Sequence, residues 1–248
     1  MGRAKKINRS RSKTRRCHLK GRPPKDDRKV VGGIFYVLRT GVPWRDLPAE
    51  FGPWSSVYTR FSRWRRSGLF DRMLALAAKD AEGELRHIDC SHIKLHQDAA
   101  NPAGGQSRQA IGRTKGGINT KLAAVVDRRG RAVALGVTAG QRHDLHAIEP
   151  LLPCLRGYRV VADKGFDADS FRARLCRQRT RVCIPPKRTR RTLVAFHRGY
   201  YRRRHRVENF FCRIKRLRRI STRYDKLAAT FLAFVQFAAV LDWLTFRF

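Results

Sequence analysis

The sequence predicts a mixed α/β sheet with flanking helices, preceded by a small all-helical region. Three observations carry this. Between residues 26 and 82 apolar residues recur at helical spacing. Beyond Gly83 short β-branched runs alternate with helical ones. Over 248 residues, 42% apolar content suffices for one full core and a small accessory unit.

The elements follow in order. Residues 1–25 carry eleven Arg and Lys and no acid, with no apolar face, and read as a basic flexible arm. "DDRKVVGGIFYVLRTGV" opens on two acids suited to a helix start and places Val30, Ile34 and Leu38 on one face. After a Pro/Gly connector, "WSSVYTRFSRWRRSGLFDRMLALAAKD" is helical again, with Val57, Phe61 and Trp64 inward and Arg60, Arg63, Arg65 and Arg66 elsewhere. Residues 26–82 thus resemble a helix-turn-helix reader, and Arg60 and Arg63 are candidate DNA contacts.

Residues 83–248 hold the sheet. "LRHIDCSHIKLH" reads as a strand with Asp89 near its middle, and the Gly-rich stretch through "GRTKGGI" as a long basic loop. Glycines there permit close approach to a DNA backbone, with Arg113 and Lys115 supplying charge. "NTKLAAVVDRRGRAVALGVTAG" is a hairpin, "HDLHAIEPLLPCL" a short helix, and "YRVVADKGF" a buried strand ending at Asp163. Asp169 fits the N-cap of the next helix, and "TRVCIPP" is a last short strand. A long helix over 200–219 and an apolar closing helix complete the chain. Gln236 and Asp242 within that last run argue for a buried helix over a membrane span.

Charge narrows the function. The balance of 56 Lys and Arg against 19 Asp and Glu gives +37. Such an excess calls for a polyanion, nucleic acid before an anionic membrane surface. Residues 172–223 carry twenty Arg and Lys and a single acid, Glu208. The six cysteines form no C-x-x-C pair and read as reduced thiols in a cytosolic setting.

Asp89, Asp163 and Glu208 come from separate elements, two of them on strands of one sheet. Converging carboxylates repel one another unless a cation holds them, and Mg²⁺ suits an all-oxygen set. An aspartate after a strand is also a common turn or helix cap, and a glutamate among arginines a common ion-pair partner. The spacing favours the site: Tyr201, Arg204, Glu208 and Lys215 fall along one face of a continuous helix. His143, Asp144 and His146 of "HDLH" offer a structural or general-base role that hard-cation chemistry does not require.

The pattern Tyr201-x2-Arg204-x3-Glu208-x6-Lys215 resembles the Y-R-E-K motif of bacterial insertion-sequence DDE transposases. "GRPPKDDR", "LRTGVPWRDLP", "AIGRTKGGINTKL", "TAGQRHD", "VADKGFDAD" and "CIPPKR" resemble the fifth insertion-sequence family in order, from about residue 21 to 244. The resemblance implies a ribonuclease-H-like catalytic core with Asp89, Asp163 and Glu208 as its metal-binding triad. Two Mg²⁺ or Mn²⁺ ions are implied as cofactors. Tyr201, Arg204 and Lys215 would grip phosphates of the element's ends. The implied reaction is hydrolytic release of a 3′-OH, then its attack on target DNA. Double-stranded DNA is the implied partner, with a homodimer or larger assembly on it, and the bacterial cytoplasm, on the nucleoid, the implied location. The competing readings are a non-catalytic nucleic-acid-binding protein and a structure-selective nuclease of the same fold. Where this family opens with an apolar helical segment, this chain has the basic arm, read as an altered start or a DNA-binding extension.

Overall fold

The structure, a computed structural model, describes residues 26–192 and 194–245; the basic arm lies outside them. The chain opens with α1 (Asp27–Thr40). The Asp26 carboxylate accepts the Arg28 amide at 2.9 Å, and the helix stops at Gly41, whose φ of 76° is left-handed. α2 (Trp54–Arg66) and α3 (Leu69–Ala77) are parted by Gly68, also left-handed. α2 buries Val57 and Phe61, while Arg63 and Arg66 face solvent.

The sheet begins with β1 (Leu85–Leu95). β2 (Gly112–Thr114), β3 (Gly117–Val126) and β4 (Ala132–Ala139) follow. α4 (Asp144–Ile148) leads to β5 (Arg159–Val161), and α5 (Asp169–Arg177) to β6 (Arg181–Cys183). β1, β5 and β6 run parallel; β3 is antiparallel to both β1 and β4. The long path is therefore β4-β3-β1-β5-β6, with β2 hairpinned onto β3. That is the ribonuclease-H-like order: a three-stranded meander, then two parallel strands beside its first member. The chain then forms α6 (Arg198–Tyr201), α7 (His205–Ile214), α8 (Arg218–Ser221), β7 (Thr222–Arg223) and α9 (Ala228–Thr245).

Period-two alternation divides β3 between two layers. Leu122, Ala124 and Val126 join the cluster made with α1, α2, α3, α7 and α9. Ala123 and Val125 face Ile148 and Leu152 after β4 and Phe171 and Leu175 of α5. α9 is long and apolar enough to cross a membrane by length and composition. Here it is a core helix: Phe231, Phe234 and Phe237 sit in the first cluster. Its two buried polar side chains are both bonded, Gln236 to Asp71 and Asp242 to Arg213 at 2.6 Å.

Four local expectations are corrected. Part of the Gly-rich basic loop is β2, paired with the start of β3 around a tight turn at Lys115–Gly116. β5 ends at Val161, two residues short of Asp163, which instead caps a 3₁₀ turn over Lys164–Phe166. Asp169 is not the cap of α5. That position is Ala168, and the Asp169 carboxylate is drawn to Arg190 at 2.6 Å. The long helix over 200–219 is three pieces. A 3₁₀ stretch over Arg202–Arg204 joins α6 to α7, and α7 ends at Ile214. Leu217 is extended before α8.

Candidate active site

Asp89 lies on β1, on the face that α7 covers. Its side chain is 19% exposed. Oδ1 accepts the Cys90 backbone N–H at 2.8 Å, leaving Oδ2 to accept from Arg204 Nη1 at 3.2 Å. The same guanidinium donates through Nη2 to Glu208 Oε1, one turn further along. One side chain thus ties a strand carboxylate to a helix carboxylate. Asp163, beyond the end of β5, is held by the Gly165 amide at 2.8 Å on Oδ1.

The electrostatics place these groups in one field. Burial pushes the Asp89 carboxyl up to about 6. The Cys90 amide and Arg204 pull it down; Asp163 and Glu208 push it up again. Arg204 is raised above its ordinary value. Burial opposes that, and Glu208 and Asp89 more than offset it, with Tyr201 contributing.

Lys215 completes this edge. It stands just past the end of α7, where Nζ donates to Ser91 Oγ at 2.7 Å and to the His92 carbonyl at 3.2 Å. Burial lowers its pKa. Tyr201 is half-buried, its ring edge-on to Phe196 at 5.6 Å. Tyr201, Arg204, Glu208 and Lys215 therefore line the same side of β1, although the segment carrying them is not one continuous helix. The other expected contacts lie apart. Arg113 and Lys115 are exposed on the β2–β3 hairpin, and Arg63 is exposed on α2. Arg60 instead donates to Asp27 at 2.6 Å and sits 5.6 Å from the Trp64 ring centroid.

A polar network that sequence patterns do not announce lies on the opposite face of the sheet. Asn119, 4% exposed, donates through Nδ2 to Thr114 Oγ1 at 2.6 Å and to the Gly117 carbonyl at 3.1 Å. Its Oδ1 faces His92 Nδ1 at 3.0 Å. Lys121, also buried, donates to Asp144 Oδ1 at 2.6 Å. A Cβ on Gly140 would fall 1.6 Å from Asn119 Oδ1, so the backbone there has no room for one. Alternation leaves only a partial trace: Ser91 stands two residues from Asp89, and Lys121 two from Asn119. His143 caps α4 through its Nδ1, which accepts the Leu145 amide at 3.3 Å.

Hard oxygen donors from β1, the segment after β5, and α7 suit Mg²⁺ or Mn²⁺. Asp163 and Glu208 push Asp89 up against the pull of Arg204, a repulsion that a divalent cation among them would relieve further. In donor type and charge the residues fit a divalent ion. Among the described residues no three His, Cys, Asp or Glu side chains yet stand close enough to share one, and Arg204 holds two of the three carboxylates.

Residues 81–243 match the family described as "Transposase DDE domain", and residues 6–74 the family described as "Putative transposase of IS4/5 family". A curated relative from Brucella ovis, "Putative transposase for insertion sequence element IS6501", is 35% identical over 129 residues. That alignment spans 51% of this chain and 99% of the relative. "Insertion element IS402 uncharacterized 16.2 kDa protein" of Burkholderia cepacia is 37% identical over 106 residues, 41% of this chain and 69% of the relative. Among solved structures, "Mos1 transposase paired-end complex with left transposon end" is similar at 15% identity and a TM-score of 0.25. It covers 65% of this chain and 60% of its own, too loose an overlap to bear on any residue's role. With a match over some two thirds of its length, the chain belongs to the DDE transposases of bacterial insertion sequences.

Proposed function

We propose that Asp89, Asp163 and Glu208 are the catalytic carboxylates of this transposase and that they hold two divalent ions, Mg²⁺ or Mn²⁺. Members of the family use divalent metals. When bound, such ions lower the pKa of an attacking hydroxyl and neutralise charge on the leaving oxygen. The protein's part is positional. Asp89 is fixed by the rigid centre of the sheet and by the Cys90 amide. Asp163 is fixed by its own turn, and Glu208 by α7, which packs on β1 and β3 and buries Val207 and Phe210 in the shared core. Lys215 and Tyr201 orient phosphates of the element's end, and Arg204 takes one once it leaves the carboxylates. Arg113 and Lys115 extend the phosphate track beyond the site, and Arg63 and Arg60 belong to the second contact surface on α2.

The reaction follows in two displacements. Water attacks the phosphorus at the element's edge; the P–O bond to the departing 3′ oxygen breaks, and that oxygen takes a proton to become the 3′-OH. The hydroxyl then loses its proton and attacks a target phosphodiester, whose own 3′ oxygen leaves. No bond to protein forms, so catalysis rests on position and charge.

In this reading residues 26–82 are the DNA-binding region, extended by the arm of residues 1–25, and residues 83–248 are the catalytic domain. The working assembly is a dimer or larger on two DNA ends, in the bacterial cytoplasm and on the nucleoid. The observation that carries the reading is the Arg204 guanidinium bound to carboxylates of β1 and α7, with Asp163 raising the charge beside them.

The test uses a duplex from the inverted repeat flanking the gene, with Mg²⁺ or Mn²⁺. Wild type should nick at the element's edge, and Glu208→Gln or Asp89→Asn should lose at least about 10³-fold in cleavage rate while binding the duplex nearly as well. Wild-type cleavage rates in Glu208→Gln would sink the triad.

A further inference from the structure

We propose that Arg204 is a built-in stand-in for the metal: in the DNA-free protein its guanidinium occupies the ion's place between Asp89 and Glu208, and a DNA phosphate draws it out. This deepens the triad reading and rests on it.

The contacts select the atoms. Asp89 Oδ1 accepts the Cys90 amide, and Arg204 takes the other oxygen, Oδ2, which has no backbone donor on it. Glu208 gives Oε1 to the same guanidinium. An ion drawn to Asp89 Oδ2 or Glu208 Oε1 competes with the guanidinium that already holds both oxygens. The guanidinium also relieves the mutual repulsion of Asp89, Asp163 and Glu208, which otherwise opposes closing α7 onto β1.

The backbone is arranged for release. Arg204 is the last residue of the 3₁₀ stretch between α6 and α7, a geometry often found at hinges. Its side chain is 22% exposed, so a phosphate reaches it without first opening the core. The two Nη groups that hold separate carboxylates can both turn to one phosphate, which a guanidinium binds through paired N–H bonds. Bringing DNA to the site thus removes the competitor for metal, and the linkage is reciprocal: metal that expels Arg204 leaves it free to hold DNA. The chain would be a poor metal binder when alone and a good one at an element's end, a safeguard against stray cleavage.

The experiment is a Mn²⁺ titration of the full chain without DNA, followed by electron paramagnetic resonance, for wild type, Arg204→Ala and Arg204→Gln. Gln keeps length without charge and guards against local collapse. Both variants should bind Mn²⁺ about 10-fold or more tightly than wild type, within the usual range for coupled sites. Saturating Mn²⁺ should also raise their melting temperatures more than that of wild type. Adding repeat duplex should tighten Mn²⁺ binding more in wild type than in the variants. Equal or weaker Mn²⁺ binding by both variants overturns the proposal. The triad is tested separately by adding Asp89→Asn to Arg204→Ala. If that leaves Mn²⁺ affinity unchanged, the ion is not at Asp89 and the triad reading itself falls.

Discussion

Asp167 illustrates what one carboxylate does when donors surround it. Its side chain is 1% exposed and accepts from Arg172 Nε at 2.7 Å, Arg190 Nε at 2.9 Å and the Lys187 amide at 2.8 Å. Burial works to raise its pKa, but these donors outweigh burial and hold it well below the usual carboxylate range. A depressed folded-state pKa means stability that is complete above the unfolded value near 4 and is lost as pH falls below it. Asp167→Asn should therefore cost on the order of 2 kcal/mol at pH 7, with the gap to wild type shrinking toward pH 3, read by urea unfolding at both pH values. An equal gap at the two would remove charge as the cause. Nothing in the local sequence around Asp167 announces that Arg172 and Arg190 converge on it. Glu208 was more legible: a single acid in a basic stretch needs a reason, and its spacing from Arg204 supplied a partner.

At the scale of elements, legibility tracked pattern strength. β1, β3, β4 and α9 were readable because burial on one or both faces imposes a long apolar signature. β2 was not. Its three residues, Gly-Arg-Thr, carry no alternation, and the glycines that permit the turn disguised a hairpin as a loop. The correction has a consequence for DNA contact, since a paired hairpin presents Arg113 and Lys115 at a defined place. Arg113→Ala and Lys115→Ala should each lower the salt-dependence slope of repeat binding by ~1, measured from 50 to 200 mM salt. An unchanged slope in either variant takes that residue off the phosphate track. The helical stripe was half right for a similar reason. A single stripe from 201 to 215 requires a constant turn angle, while the 3₁₀ stretch tightens the path and Lys215 leaves the helix to bond Ser91. Tertiary hydrogen bonds decided that ending, and these leave no periodic trace.

For the whole molecule, the main feature is that the helical region and the sheet share one apolar core. Phe61 of α2 stacks on Phe234 of α9 at 4.5 Å, Phe70 of α3 meets Phe237, and both lie in the cluster that reaches β3 and α7. Phe234→Ala should cost about 3–5 kcal/mol. It should lower one transition seen alike by tryptophan fluorescence and far-ultraviolet circular dichroism, since Trp44, Trp54 and Trp64 report on the helical side and Trp243 on α9 against β4. Two separated transitions would mean that the segments melt independently. Sequence showed where the composition changes near Gly83 but not that α9 closes both sides, because its uniformly apolar surface names no partner.

That shared wall also sets the timing of the protein's birth. α9 follows α3 by roughly 150 residues, which at bacterial synthesis rates is on the order of 10–30 s. For most of that interval Phe61 and Phe70, whose rings finally meet Phe234 and Phe237 of α9, have emerged without that surface. The nascent chain is thus sticky and basic for most of its synthesis, next to a ribosome made largely of polyanion. A ribosome that stalls before residue 228 leaves an unfinished product that lacks this closing wall.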